Sequence, residues 1–184
     1  METTMLKPIA TILGLLFLAL PVRAQPTAVE AILIKQFLVC EDAMAAGCES
    51  FGLSKFSDAL VVFAGAAEGG DKAAQNNLGM LYETGAGVKR SEDEAKRLYR
   101  LAADAGVPIA QYNLAMLTVT KHVIGDVTDP DERDRDMSTA YLWLTLASEK
   151  GLTLATESRE ELIEFMTPKA LKAGKQQVKD KRAK

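Results

Sequence analysis

Reactive side chains are scarce in this 184-residue chain, which has one histidine, two cysteines, one tryptophan and 6% aromatic residues. Catalysis by acids, bases or metals needs a constellation of such groups. Around His122 no triad or metal cluster can be assembled from sequence, and two cysteines with one histidine are too few for a closed zinc site. Long apolar runs are scarce too. The one present, Ile9 to Leu20, is shorter than the roughly 20 residues a spanning helix needs, and no second run exists to build a multispan protein. A composition that is 48% hydrophobic and 26% charged is ordinary for a folded domain and argues against disorder or fibre over most of the length.

The first 24 residues differ from the rest. Lys7, the apolar stretch, Pro21 and the small-residue pattern Val22-Arg23-Ala24 before Gln25 follow the order of a secretory signal and its cleavage site. Residues 1–24 are therefore expected to be a signal peptide cleaved after Ala24, with translation from Met1 or Met5. The mature chain would be exported, periplasmic or secreted in a bacterium; an uncleaved signal anchor is the alternative. Removing residues 1–24 takes away Lys7, Arg23 and Glu2, which leaves 20 basic and 24 acidic residues and a net charge of −4. That balance argues against nucleic acid as a partner.

Cys40 and Cys48 would then meet an oxidising compartment, where a disulfide is permitted. On one unbroken helix, residues eight apart lie about 12 Å apart along the axis. A disulfide needs Cα atoms within about 7 Å, so the pair closes only if the chain turns near Ala46 or Gly47. Two free, partly buried thiols are the other outcome.

Sliding the sequence along itself exposes a repeat of 36 residues. Residues 59–82 laid on 95–118 pair Ala59 with Ala95, Ala66 with Ala102, Ala67 with Ala103, Gly70 with Gly106, Ala74 with Ala110 and Gln75 with Gln111. Asn77 with Asn113, Leu78 with Leu114, Met80 with Met116 and Leu81 with Leu117 follow, and Phe63 and Tyr99 place an aromatic at one register. Apolar residues within each unit recur at helical spacing, and Gly69, Gly70, Gly85, Gly87 and Gly106 fall where helices should stop. The spacing predicts helices over Asp58 to Glu68 and Lys72 to Thr84, with small residues such as Ala66, Ala67, Ala74 and Gly79 allowing close approach. A third unit appears at a shift of 45, where Ala140, Leu144, Ala147 and Gly151 fall on Ala95, Tyr99, Ala102 and Gly106. Thr27 to Gly52 also has helical periodicity and would cap the stack, and Thr167-Pro168 should start a closing helix carrying Leu171 and Val178.

The fold class expected is all-α: a short α/α solenoid of antiparallel helix pairs, about three repeats long, with capping helices. Its parts would be a capping region over 25–55, repeat units over about 56–91, 92–136 and 137–166 with an inserted loop at 118–137, and a C-terminal helix with a basic tail over 167–184.

The run Ala74-Gln75-Asn76-Asn77-Leu78-Gly79-Met80-Leu81-Tyr82-Glu83-Thr84-Gly85-Ala86-Gly87-Val88, leading to Glu94-Ala95 and Ala102-Ala103-Asp104-Ala105-Gly106, resembles the signature of the Sel-1-like repeat family, relatives of the tetratricopeptide repeats. Ala140-Tyr141-Leu142-Trp143-Leu144 resembles the terminal unit of exported bacterial members. The third unit departs from the pattern where Ser158-Arg159 replace Asn-Leu. The resemblance implies a non-catalytic scaffold or regulator that binds a protein or peptide in a groove lined by the first helix of each pair. On that analogy Lys96, Arg97, Arg100 and Asp104 are candidate partner-binding residues. No cofactor is implied. Two other readings are a cell-envelope hydrolase acting on peptidoglycan or a lactam, with Ser91, Ser138 or Ser148 as nucleophile, and a peripheral membrane protein held by its basic tail.

Other features read as structure. The acidic insertion, Asp126 to Asp136, lacks the glycine of a calcium loop, since Asp134 stands at that position, and is expected to be a solvated charge-mixed loop. Gly85 and Gly87 follow a helix rather than a strand, and are turn glycines rather than a phosphate loop. Asn77 and Asn113 either present amides to a ligand peptide or bond backbone at an inter-helix turn. Trp143, Phe63, Tyr99 and Tyr112 should pack between helices, His122 should be an exposed structural residue, and the tail from Lys169 should be a frayed helix.

Overall fold

The structure, a computed structural model, describes residues 38–40, 44–124 and 129–183. The expected signal peptide and the start of the expected first helix lie outside these. Among the described residues there are eight helices and no strand: α1 (Ala45–Gly52), α2 (Phe56–Glu68), α3 (Lys72–Thr84), α4 (Glu92–Asp104), α5 (Pro108–Ile124), α6 (Pro130–Glu149), α7 (Thr153–Phe165) and α8 (Pro168–Arg182). They fall into two compact units divided after Asn113, within α5.

In the first unit α1 packs on α2, α2 on α3 and α3 on α4. Local chemistry sets the ends of these helices. The Asp71 carboxylate accepts from the Ala74 N–H at 2.8 Å and starts α3, and the Ser91 hydroxyl does the same for Glu94 at the start of α4. Each satisfies one donor that a helix leaves open at its N-terminus. Glu92, Asp93 and Glu94 add negative charge to the first turn of α4, where the helix dipole favours it. Gly70, Gly85, Gly87 and Gly106 all have positive φ, as their places after helices require.

The core of this unit interlocks rings with glycines. The Tyr99 ring is fully buried against Gly79, where an added Cβ would come within 2.9 Å of the ring. Phe63 lies the same way against Gly47, at 2.4 Å. Two aromatics at one register of the repeat therefore use one device: a ring fills the volume that a missing side chain leaves.

In the second unit α6 packs on α7 and on α8. Trp143 of α6 is wholly buried, and the Lys181 ammonium of α8 sits 5.1 Å from the centre of its ring. Thr167 caps α8 through the Ala170 N–H, with Pro168 in the first turn, as the sequence predicts.

Four expectations change. Residues 118–124 and 130–137 are helical rather than an inserted loop. Asp129 caps α6, Pro130 opens it and Asp131 and Glu132 favour its first turn, so the acids that suggest a solvated loop form a helix start. Of the described part of the expected capping helix, Ala45–Gly52 is helical and Leu38 to Cys40 are not. Ala46 and Gly47 lie within α1 and do not turn the chain; the non-helical Cys40 and the helical Cys48 stand at a Cα separation of 5.7 Å, joined as a disulfide. Finally, α8 is a packed helix that buries Ala170, Gly174 and Val178, not a frayed one. Lys169 is held by Asp131 and Asp134, and Arg182 by Glu149.

Candidate functional site

The most unusual feature of α3 is how much polarity it buries. Gln75, Asn76 and Asn77 lie on consecutive positions and are at most 6% exposed. Buried amides must be hydrogen-bonded, or desolvation costs about 1–3 kcal/mol for each unmet group. Asn77 satisfies both ends of its amide on a single residue far away in sequence: Nδ2 donates to the Val39 carbonyl at 2.7 Å, and the Val39 N–H donates to Oδ1 at 2.7 Å. A neighbouring β-strand would read a residue with the same two bonds, one to N–H and one to C=O. Of the two roles the sequence allows for Asn77, it bonds backbone, here that of the chain's own non-helical residue Val39.

The amides continue as a chain. Asn76 Nδ2 donates to Asn77 Oδ1 at 3.1 Å, and Asn113 Nδ2, one repeat later on α5, donates to Asn76 Oδ1 at 3.0 Å. Gln111 Nε2 donates to the Ala103 carbonyl at 3.1 Å, while Oε1 of both Gln75 and Gln111 is buried without a hydrogen bond among the described residues. Cys48 is buried beside this row, with its sulfur 3.9 Å from Asn77 Nδ2 and 3.5 Å from the Val39 carbonyl oxygen.

On the next helix, Tyr99 donates from its hydroxyl to Glu83 Oε2 at 2.6 Å. Burial pushes the Glu83 carboxyl above its ordinary range, and the Tyr99 hydroxyl and the Arg90 charge only partly offset this. Burial, then the nearby Glu83 charge, holds the Tyr99 hydroxyl well above its own. The candidate residues Lys96, Arg97, Arg100 and Asp104 all lie on the exposed face of α4, and Arg97 bonds Glu94 at 2.9 Å.

A second polar cluster joins α5 to α6. His122 Nε2 lies 2.7 Å from Asp136 Oδ2, and Lys121 reaches both Asp136 and Glu132 at 2.7 Å. The His122 side chain is 3% exposed, so it is not the exposed histidine expected from sequence. Burial alone would raise the Asp136 carboxyl, but hydrogen bonds from Lys121 and His122 outweigh it and hold the carboxyl below its ordinary range. A depressed carboxylate stabilises the fold above its unfolded pKa, and that contribution is lost as pH falls through the folded value. Asp136→Asn is accordingly expected to cost about 1–2 kcal/mol at neutral pH. Urea titrations should show wild type and variant converging as the pH falls below the ordinary aspartate range; a gap that persists in acid would contradict the assignment.

The three candidate serines have structural partners. Ser91 caps α4, Ser138 donates to the Arg135 carbonyl and accepts from Gln177, and the Ser148 and Thr156 hydroxyls bond each other. Among the described residues no group of three or more histidines, cysteines or acids could hold a metal, and no helix is long and apolar enough to cross a membrane.

The Sel1 repeat model matches residues 72–107, 108–119 and 129–152. Over these residues the chain carries Sel1 repeats. The match starts at α3, so one Sel1 repeat is α3 with α4 and the next is α5 with α6, interrupted at 120–128. Lys96, Arg97, Arg100 and Asp104 thus sit on the second helix of a Sel1 repeat, whereas the frame beginning at residue 56 puts them on a first helix.

Over 44 residues, 24% of its length, the chain is 48% identical to a Sel1-like repeat-containing protein of Acanthamoeba polyphaga mimivirus, of which it covers 8%. It also resembles the crystal structure of a protective antigen of uropathogenic Escherichia coli with an SLR fold, at 29% identity and a TM-score of 0.63. That likeness covers 76% of this chain and 29% of the antigen. The chain therefore spans less than a third of either relative.

Proposed function

We propose that the protein is an exported, non-catalytic scaffold that holds a partner protein or peptide through its Sel1 repeats. The observation that carries this reading is the pairing of Asn77 with the main chain of Val39, since it is the operation a peptide-binding helix face performs: it reads backbone and is indifferent to side chain. Stacked helix pairs generally serve as binding surfaces rather than as enzymes. Export is supported by the order of residues 1–24 and by the Cys40–Cys48 pair. The exposed, charged face of α4 is a second place where a partner could be recognised.

The experiment is affinity capture of the tagged chain from its native envelope, followed by mass spectrometry. One or a few polypeptides should be enriched over an untagged control. The reading fails if no polypeptide is enriched while a peptidoglycan or lactam substrate is turned over.

A further inference from the structure

Residues 38–40 are the occupant of the Asn77 amide, and they are not held by that amide alone. Cys40, adjacent to the paired Val39, is bonded to Cys48 on α1. Cys40 is exposed and Cys48 is 1% exposed, so Cys40 is the more accessible half of the disulfide. The Cys48 sulfur faces both the Asn77 amide and the Val39 carbonyl. The staple and the amide therefore hold the same stretch of main chain.

We propose that the Asn77 face of α3 is a subsite for one residue of an extended peptide, filled in the oxidised protein by its own Leu38–Cys40 segment and opened to a partner's segment when a dithiol reductant cleaves Cys40–Cys48. This rests on the scaffold reading above and adds to it the ligand class and the gate. The chemistry is thiol–disulfide exchange. A thiolate of the reductant attacks the Cys40 sulfur, and the S–S bond breaks with its electron pair on Cys48, which takes up a proton. The Asn77 Nδ2–H is placed to donate to that departing sulfur. The second thiol of the reductant then attacks the mixed disulfide, frees Cys40 as a thiol and leaves the reductant oxidised to its own disulfide. Once the staple is open, the two Asn77 bonds still hold the segment, and a partner strand that offers the same N–H and C=O displaces it at sufficient concentration.

The test uses the full chain in three forms: oxidised, treated with dithiothreitol, and carrying Cys40→Ser with Cys48→Ser. Hydrogen exchange read by mass spectrometry on peptides containing Val39 follows release of the segment. A fluorescein-labelled synthetic peptide, Ile-Lys-Gln-Phe-Leu-Val-Ser-Glu-Asp, copies residues 34–42 with serine in the place of Cys40 and probes the vacated subsite. Apparent affinity scales with the fraction of molecules whose site is vacant, so the reduced and double-serine forms should bind the peptide about tenfold or more tightly than the oxidised form. They should also exchange faster at Val39, and Asn77→Leu should remove the peptide binding.

Equal protection of Val39 in folded oxidised and reduced chains overturns the proposal, as does peptide binding that Asn77→Leu leaves unchanged. Should the double-serine chain lose its helicity, the oxidised Asn77→Leu chain decides alone: unchanged protection at Val39 overturns the proposal, and faster exchange supports it. A natural partner captured equally by oxidised and reduced chains removes the gate and leaves the scaffold reading standing. Capture of no partner by either form removes the scaffold reading itself.

Discussion

Trp143→Ala is expected to cost about 3–5 kcal/mol, the range for removing a large buried ring from a core that cannot fully collapse. The ring is 0% exposed on α6, where Leu144 and Ala147 are also fully or nearly fully buried, and α6 packs on both α7 and α8. A hole there removes contacts from the helix that the rest of its unit is built around. Since small domains are stable by only about 5–15 kcal/mol, this one change should remove much of the stability. Urea unfolding followed by circular dichroism would show it, with a large drop in midpoint. Lys181→Met removes the ammonium over the ring while keeping an alkyl side chain and should cost about 0.5–1 kcal/mol, far less than loss of the ring.

Gly87→Ala should be nearly as damaging, for a reason confined to the backbone. Gly87 has φ of 73°, where a Cβ costs about 1–2 kcal/mol. A Cβ at this position would also come within 2.7 Å of the Phe56 carbonyl oxygen and 2.8 Å of its carbon, atoms at the start of α2 that cannot rotate away. The sum should reach about 3 kcal/mol or more, within the large effects expected of strain at a special backbone position. Gly70→Ala makes the comparison. Gly70 has φ of 86° but nothing within 4 Å of the added carbon, so only the conformational part should appear. Thermal melts of the two variants would separate the terms; equal losses would mean that the Phe56 contact contributes nothing.

The parts of the fold that could be read from sequence are those that local rules determine. The bounds of α3, Lys72 to Thr84, coincide with the expected ones because a cap and a glycine mark both ends. The close approach at Gly79 could be read as a small residue, but not as a seat for Tyr99, because the partner ring comes from another helix. The start of α6 was available in Asp129-Pro130-Asp131-Glu132, a cap, a first-turn proline and two dipole-compatible acids. The same acids also fit a solvated loop, and that reading hid the helix. Asn77 repeated at Asn113 marks the candidate site in sequence, but its ligand does not, since Val39 is 38 residues away and reaches Asn77 only through the fold. The ionic cluster of Lys121, His122, Glu132 and Asp136 was hidden for the same reason. Its members lie on two helices, and only their packing turns a charge-mixed segment into paired charges.

On the proposed reading, α3 presents a surface to another polypeptide's main chain. A photoreactive amino acid placed at Ala73, half-buried one turn before Asn77, tests it most directly in the native envelope, with the exposed Glu157 on α7 as the reference position. The account predicts a discrete polypeptide crosslinked at position 73 and absent at 157, stronger after treatment with a dithiol and lost with Asn77→Leu. Crosslinking at 73 no greater than at 157, in both redox states of a folded chain, would contradict it.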